Sequence, residues 1–138
     1  MTQKIPLSLD EIEKKLSSFQ FPEVDIVIGI ASGGVYPAKI ISQLLKKPKS
    51  IIEIKFRSLD NSPLYKEPKL IRKDVISDNV NRILLVDDVS VSGKTINLAK
   101  TLLKGYTIFT LVFKGHADYV LFPDINTCVS WPWHIQAK

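Results

Sequence analysis

Arg82-Ile-Leu-Leu-Val-Asp-Asp-Val-Ser-Val-Ser-Gly-Lys-Thr95 holds an apolar run, two adjacent acids and a loop of small residues. Arg82–Val86 has the length and composition of a buried strand. Val89 to Gly93 read as a turn, and Thr95 to Leu103 as a helix closed near Gly105. In open α/β sheets, ligands bind beyond the carboxyl ends of the strands. The N–H groups of such a loop, with the helix N-terminus behind them, form an anion site. Ser90, Ser92 and Thr95 add hydroxyl donors, and Gly93 lets the backbone approach closely. A phosphate is therefore expected over residues 90–95. Asp87 and Asp88 are expected to meet a polyhydroxylic group or a divalent metal nearby. A Walker A loop is excluded, because its earlier glycine would fall on Asp88, an acid that repels phosphate.

The rest of the chain repeats the alternation of strand and helix. Ser8 to Ser18 has an amphipathic helical pattern, with Leu9, Ile12 and Leu16 on one face. Ser8 and Glu11 have the spacing of a capping box. Val24–Ile30 is a β-branched strand that stops at Ala31-Ser32-Gly33-Gly34, and Tyr36 to Leu45 is helical with Pro37 in its first turn. Ser50–Phe56 is another strand. Residues 57–73 contain Asn61, Pro63 and Pro68 without clear periodicity and read as a long loop, a kind usually functional or disordered. Tyr106–Phe113 is a further strand, and Tyr119–Phe122 and Thr127–Trp131 are short candidates. Strands alternating with helices predict an α/β fold: one domain over 1–138, a mostly parallel central sheet and helices on both faces.

Charge is concentrated in one place. The 138 residues carry a net charge of +5. Between Lys46 and Lys73, nine basic residues face three acids, a net of +6, so the rest of the chain sums to −1. The single cysteine, Cys128, excludes an intramolecular disulfide and zinc motifs built on paired cysteines. No apolar run approaches the roughly 20 residues of a membrane helix, and the polar start does not resemble a signal peptide. The expected location is cytoplasmic, with no membrane partner.

The segment Val86 to Thr95 resembles the PRPP-binding motif of type I phosphoribosyltransferases; PRPP is 5-phosphoribosyl 1-pyrophosphate. The resemblance implies that Asp87 and Asp88 hold the ribose hydroxyls as catalytic residues. It also implies that Ser90, Val91, Ser92, Gly93, Lys94 and Thr95 cradle the 5′-phosphate. Ile28 to Ala38 resembles the family's pyrophosphate loop, often built with an unusual cis peptide. That assigns pyrophosphate binding to the Ala31–Val35 amides, with Ala31, Ser32, Gly33 and Gly34 at the centre and basic residues such as Lys55 and Arg57 beside them. Many relatives carry Arg or Lys where this chain has Ser32. The long loop falls where the family has its mobile catalytic loop, which implies that Lys66, Lys69, Arg72 and Lys73 meet the polyphosphate. Mg²⁺ is the implied cofactor, near Asp87 and Asp88 directly or through water.

The C-terminal part, 114–138, resembles the small base-recognition hood of the short bacterial 6-oxopurine branch (xanthine-guanine and hypoxanthine enzymes). By that resemblance Lys114 contacts the purine 6-oxo group, Tyr119 stacks on the base and the Val120 backbone reads its edge. Trp131-Pro132-Trp133 resembles the closing segment of the same branch, although at least one of these tryptophans is expected in the core. Val91 departs from the pattern: it stands where the purine branch has an Asp facing N7, and a valine cannot transfer a proton.

The function implied is transfer of the phosphoribosyl group from PRPP to a nucleobase, a 6-oxopurine by preference, by a homodimer or larger homo-oligomer. The alternative is a PRPP- or nucleotide-sensing regulator on the same fold. Nucleic acid is not expected as a partner, because the basic stretch has only Phe56 and Tyr65 as interleaved aromatics.

Overall fold

The computed structural model describes residues 5–55 and 67–133. The elements, in chain order, are β1 (Ile5–Pro6), α1 (Leu9–Ser17), β2 (Ile26–Ala31), α2 (Val35–Leu45), β3 (Lys49–Lys55), β4 (Lys69–Lys73), β5 (Arg82–Ser90), α3 (Lys94–Leu102), β6 (Thr107–Gly115), β7 (Tyr119–Val120) and β8 (Val129–Ser130). Six strands form one sheet in the order β4-β3-β2-β5-β6-β7. All neighbours are parallel except β3 and β4. The expected α/β architecture, with helices on both faces of a mostly parallel sheet, is the one observed.

Side-chain alternation explains the two faces. Leu84 and Val86 of β5 join Val27, Ile12, Leu16 and Ile41 beneath α1 and α2. Ile83 and Leu85 point the other way, into a layer with Ile28, Ile52, Ile96 and Ala99 beneath α3. A strand buried on both sides reads as a continuous apolar run, which is why Arg82–Val86 is so uniform. At the start of α1, Ser8 Oγ accepts the Glu11 N–H at 3.1 Å while Glu11 Oε1 accepts the Ser8 N–H at 3.1 Å. The capping box expected from the sequence is therefore formed.

Three local expectations need correction. β5 does not turn at Val89 but continues to Ser90, because β6 supplies partners for it: Val89 pairs with Lys114 and Ser90 with Gly115. The end of the 57–73 segment is strand β4, antiparallel to β3. Its five residues are all exposed, so an edge strand with no buried face left no alternation to read. The rest of that segment, Arg57 included, lies outside the described residues apart from Glu67 and Pro68. The third correction concerns the C-terminal strand candidate, which shrinks to Val129–Ser130. It leaves the main sheet to pair with Ile5–Pro6 in a two-stranded parallel sheet.

The closing tryptophans are core residues. Trp131 and Trp133 stack at 5.4 Å, and both meet the edge of Phe113 on β6. Trp133 also stacks on Tyr36 of α2 at 6.0 Å. Together with β1–β8 pairing, these rings hold the C-terminal segment against the α2 side of the sheet.

Candidate active site

Parallel pairing brings the carboxyl ends of β2, β5 and β6 to one edge, and the predicted residues of the first two loops meet there. Alternation along β5 places Asp88 on the α2 face, where it meets the loop after β2. A Cβ built on Gly33 would lie 2.6 Å from Asp88 Cγ and 2.7 Å from Oδ2, so any larger residue there would displace the Asp88 carboxylate. Asp87, on the α3 side, is 9% exposed. Each carboxylate folds back onto the strand: Asp87 Oδ1 accepts the Asp88 N–H at 2.8 Å, and Asp88 Oδ1 accepts the Val89 N–H at 2.7 Å. Burial, and then the negative charge of Asp88, raise the Asp87 carboxyl well above the ordinary carboxylate range.

The phosphate-loop residues form a short connection from β5 to α3. Ser90 is buried, Val91 is 77% exposed and Gly93 is the N-cap of α3. The N-cap glycine offers no side-chain bond, and no acid lies in the first turn. Ser92 Oγ accepts the Lys94 N–H at 3.3 Å. Lys94 Nζ lies 3.8 Å from Glu67 Oε1, a contact between the phosphate loop and the end of the long segment. An open helix N-terminus of this kind attracts an anion.

The loop after β2 is built the same way. The Ala31–Ser32 peptide is cis, the feature expected for this position. Gly34 caps α2 without a side-chain bond, and again no acid occupies the first turn. Some of the expected donors are engaged internally: the Gly34 N–H donates to Ile30 O at 2.7 Å and the Val35 N–H to Ser32 O at 3.2 Å. Lys55 ends β3 at the same edge of the sheet. Arg72 points elsewhere, held by Asp74 at 3.0 Å and Glu53 at 3.7 Å.

The hood residues are only partly assembled. Lys114 sits opposite Val89 at the end of β6, beside the phosphate loop. Val120 pairs with Val112, the β6 partner of Asp87, and so lies two strands from the acids. Tyr119 pairs with Leu111, the β6 partner of Val86. Its ring packs edge-on against Phe19 at 6.1 Å and tilts against Phe109 at 6.4 Å. Phe109 stands opposite Leu84, three positions before Asp87 on β5. The neighbouring acid, Asp118, is structural: it accepts the Thr110 N–H at 3.0 Å while the Thr110 hydroxyl accepts the Asp118 N–H at 2.9 Å.

One residue escaped sequence reasoning. Gly115 has φ +114, and a Cβ there would lie 2.8 Å from the carbonyl carbon of Ser90. This glycine lets β6 close against the first residue of the phosphate loop, and the His116 N–H then donates to Ser90 O at 2.9 Å. The only signal was a glycine ending an apolar strand.

The strand order and two helix-opening glycine loops beside an acidic pair place the chain among open α/β domains whose ligand end lies at the strand carboxyl termini. Residues 3–116 match the phosphoribosyl transferase domain, and the chain belongs to that family. It is 31% identical over 90 residues to an orotate phosphoribosyltransferase of Sulfurisphaera tokodaii, a match covering 65% of this chain and 42% of the relative. The match thus spans less than half of that relative's length. The fold also matches a purine phosphoribosyltransferase of Pyrococcus horikoshii (TM-score 0.74, 24% identity, 94% of this chain and 93% of that one). A xanthine-guanine-hypoxanthine phosphoribosyltransferase of Helicobacter pylori gives TM-score 0.80 at 14% identity, covering 98% and 96% of the two chains.

Proposed function

We propose that the protein transfers the phosphoribosyl group of PRPP to a nucleobase, a 6-oxopurine by preference, with release of pyrophosphate. The observation that carries this reading is the contact of Gly33 with Asp88, which joins the two glycine loops into one site. Family membership and a relative described as an orotate phosphoribosyltransferase support the reaction class. The two solved structures that act on purines support the base class only through shared fold.

In this reading the loop at 90–95 and the α3 N-terminus bind the 5′-phosphate. The Asp88 carboxylate accepts hydrogen bonds from the ribose hydroxyls. The loop at Ala31–Gly34 faces the pyrophosphate, with Lys55 beside it. A ring nitrogen of the base attacks ribose C1 as the C1–oxygen bond to pyrophosphate breaks, and the negative charge collects on the departing group. Catalysis is then positioning plus electrostatic stabilisation of that charge.

The residues present also fit Mg²⁺. Asp87 and Asp88 are hard oxygen donors, and no group of three or more His, Cys, Asp and Glu side chains occurs among the described residues. Such a site suits an ion that keeps several waters and binds through few carboxylates and substrate phosphates. Bound there, Mg²⁺ would offset the charge of the pyrophosphate. Lys114 stands at the right strand end to meet a base oxygen. Tyr119 is not assigned a stacking role, because its ring is occupied by Phe19 and Phe109.

The test is pyrophosphate release from PRPP with Mg²⁺ across hypoxanthine, guanine, xanthine, adenine and orotate. Release that depends on a 6-oxopurine is the expected result. Release with orotate alone would replace the base, and no release with any base would overturn the transferase reading.

A further inference from the structure

A second basic feature lies at the other end of the sheet. A cleft of about 530 Å³ opens between the start of β2, the end of α2 and the segment after β4. Ile26 and Val80 form its buried floor. Lys46, Lys47 and Lys49 line it, with Ser50, Ser77 and Asn79 as neutral hydrogen-bonding groups. Its volume falls within the roughly 300–1,000 Å³ of small-molecule sites.

The charge balance in this cleft is one-sided. Among the described residues, Asp25 is its only acidic lining residue. The Asp25 carboxylate is engaged, with Oδ2 accepting the N–H groups of Asn81 and Arg82, each at 2.9 Å. None of the three lysines lies within ion-pair distance of a carboxylate among the described residues; the Asn81 and Arg82 N–H groups, and more weakly the charge of Lys47, hold the Asp25 carboxyl below its ordinary value. The negative end of α2 accounts for Lys46 and Lys47 as ordinary helix-end cations. It does not account for Lys49, which begins β3, nor for a concave space between the three. No aromatic side chain among the described residues lines the cleft, which disfavours the base stacking of single-stranded nucleic acid.

We propose that this cleft binds a small phosphorylated anion, held by Lys46, Lys47 and Lys49 and oriented by Ser50, Ser77 and Asn79. It is separate from the acidic-pair site, because Ile26 and Lys49 begin the parallel strands whose other ends carry Ala31 and Lys55. β2 therefore runs from one site to the other, about 17 Å at the usual rise of a strand.

The experiment is an amide-resolved NMR titration with inorganic pyrophosphate in the absence of Mg²⁺. Saturable shifts are expected at residues 46–50 and 77–80, distinct from any at 31–35 and 90–95. The double variant Lys47→Glu/Lys49→Glu should weaken the first group at least tenfold and leave the second unchanged. Lys47→Met/Lys49→Met, which keeps the apolar stems, should do the same. Absence of far-end shifts up to about 10 mM, far weaker than the millimolar end of specific affinity, would overturn the proposal. So would shifts that survive in both variants, or tighter binding of a short single-stranded oligonucleotide at the same amides. Loss of the near-end shifts alone would count against the transferase site and leave this one standing.

Discussion

Gly33, in the loop after β2, and Asp88, near the end of β5, lie 55 residues apart in sequence, yet the backbone of one rests on the carboxylate of the other. A Cβ at position 33 would lie 2.6 Å from Asp88 Cγ. The parallel pairing of β2 with β5, in which Gly29 stands opposite Val86, sets this contact. It makes the two halves of the candidate site one rigid unit.

Gly33→Ala should therefore destabilise the protein by about 1–3 kcal/mol, the usual cost of overpacking. Chemical denaturation measures it. Asp88→Ala combined with Gly33→Ala should recover most of the loss, because the clashing carboxylate is gone. Strict additivity in the double variant would show that the contact does not carry the effect.

Asp88→Asn keeps the side chain's shape and its bond from the Val89 N–H but removes the charge. Turnover in a PRPP-consumption assay should fall by about 10², comparable with losing one preorganised transition-state contact. Turnover equal to that of the unaltered protein would remove Asp88 from the site.

Asp87 should show in the pH dependence of stability. Its folded-state pKa is raised above the ordinary 3.8 by burial and by Asp88. The folded state therefore binds more protons than the unfolded state in the interval between the two values, and stability is lost as pH rises through it. Asp87→Asn should raise the melting temperature at neutral pH. The gain should shrink on acidification and vanish below the ordinary carboxylate range. A variant less stable at neutral pH than the unaltered protein would contradict this.

Val91 is 77% exposed at the rim of the phosphate loop, so a polar substitution there costs little packing. By the resemblance to the purine branch, Val91→Asp would supply a carboxyl able to give or take a proton at the base. With hypoxanthine or guanine it should raise transfer by about tenfold to a hundredfold, the lower range for a positioned acid or base. Unchanged or lower rates with both purines would point away from a 6-oxopurine substrate.

Asp118→Ala removes a reciprocal pair of hydrogen bonds with buried Thr110. The expected cost is about 1–3 kcal/mol in thermal or chemical unfolding, the range for leaving a buried partner unsatisfied. If Asp118 instead serves the base directly, stability should hold while the KM for the base rises.

Much of the fold and site is legible in the sequence because it is local. A strand buried on both faces must be apolar throughout, so Arg82–Val86 marks the centre of the sheet. Small residues and an open helix end are properties of neighbouring positions, so residue type and spacing mark 31–34 and 90–95 as tight connections from a strand into a helix. Ser8 and Glu11 fix the start of α1 for the same reason.

What tertiary structure alone decided are the contacts between distant segments. β4 has no periodicity because both its faces are exposed; only hydrogen bonds from β3 make it a strand. Tyr119 resembles a ring for the base, but its place beside Leu111 sends it to Phe19 and Phe109. Arg72 has the chemistry of a ligand cation, and the register of β4 on β3 sets it opposite Glu53. Lys46, Lys47 and Lys49 read as scattered surface charge along the chain, and packing arranges them around a cleft. Residue types and local spacing determine which groups can bind an anion, whereas strand order and register determine which of them face the same space.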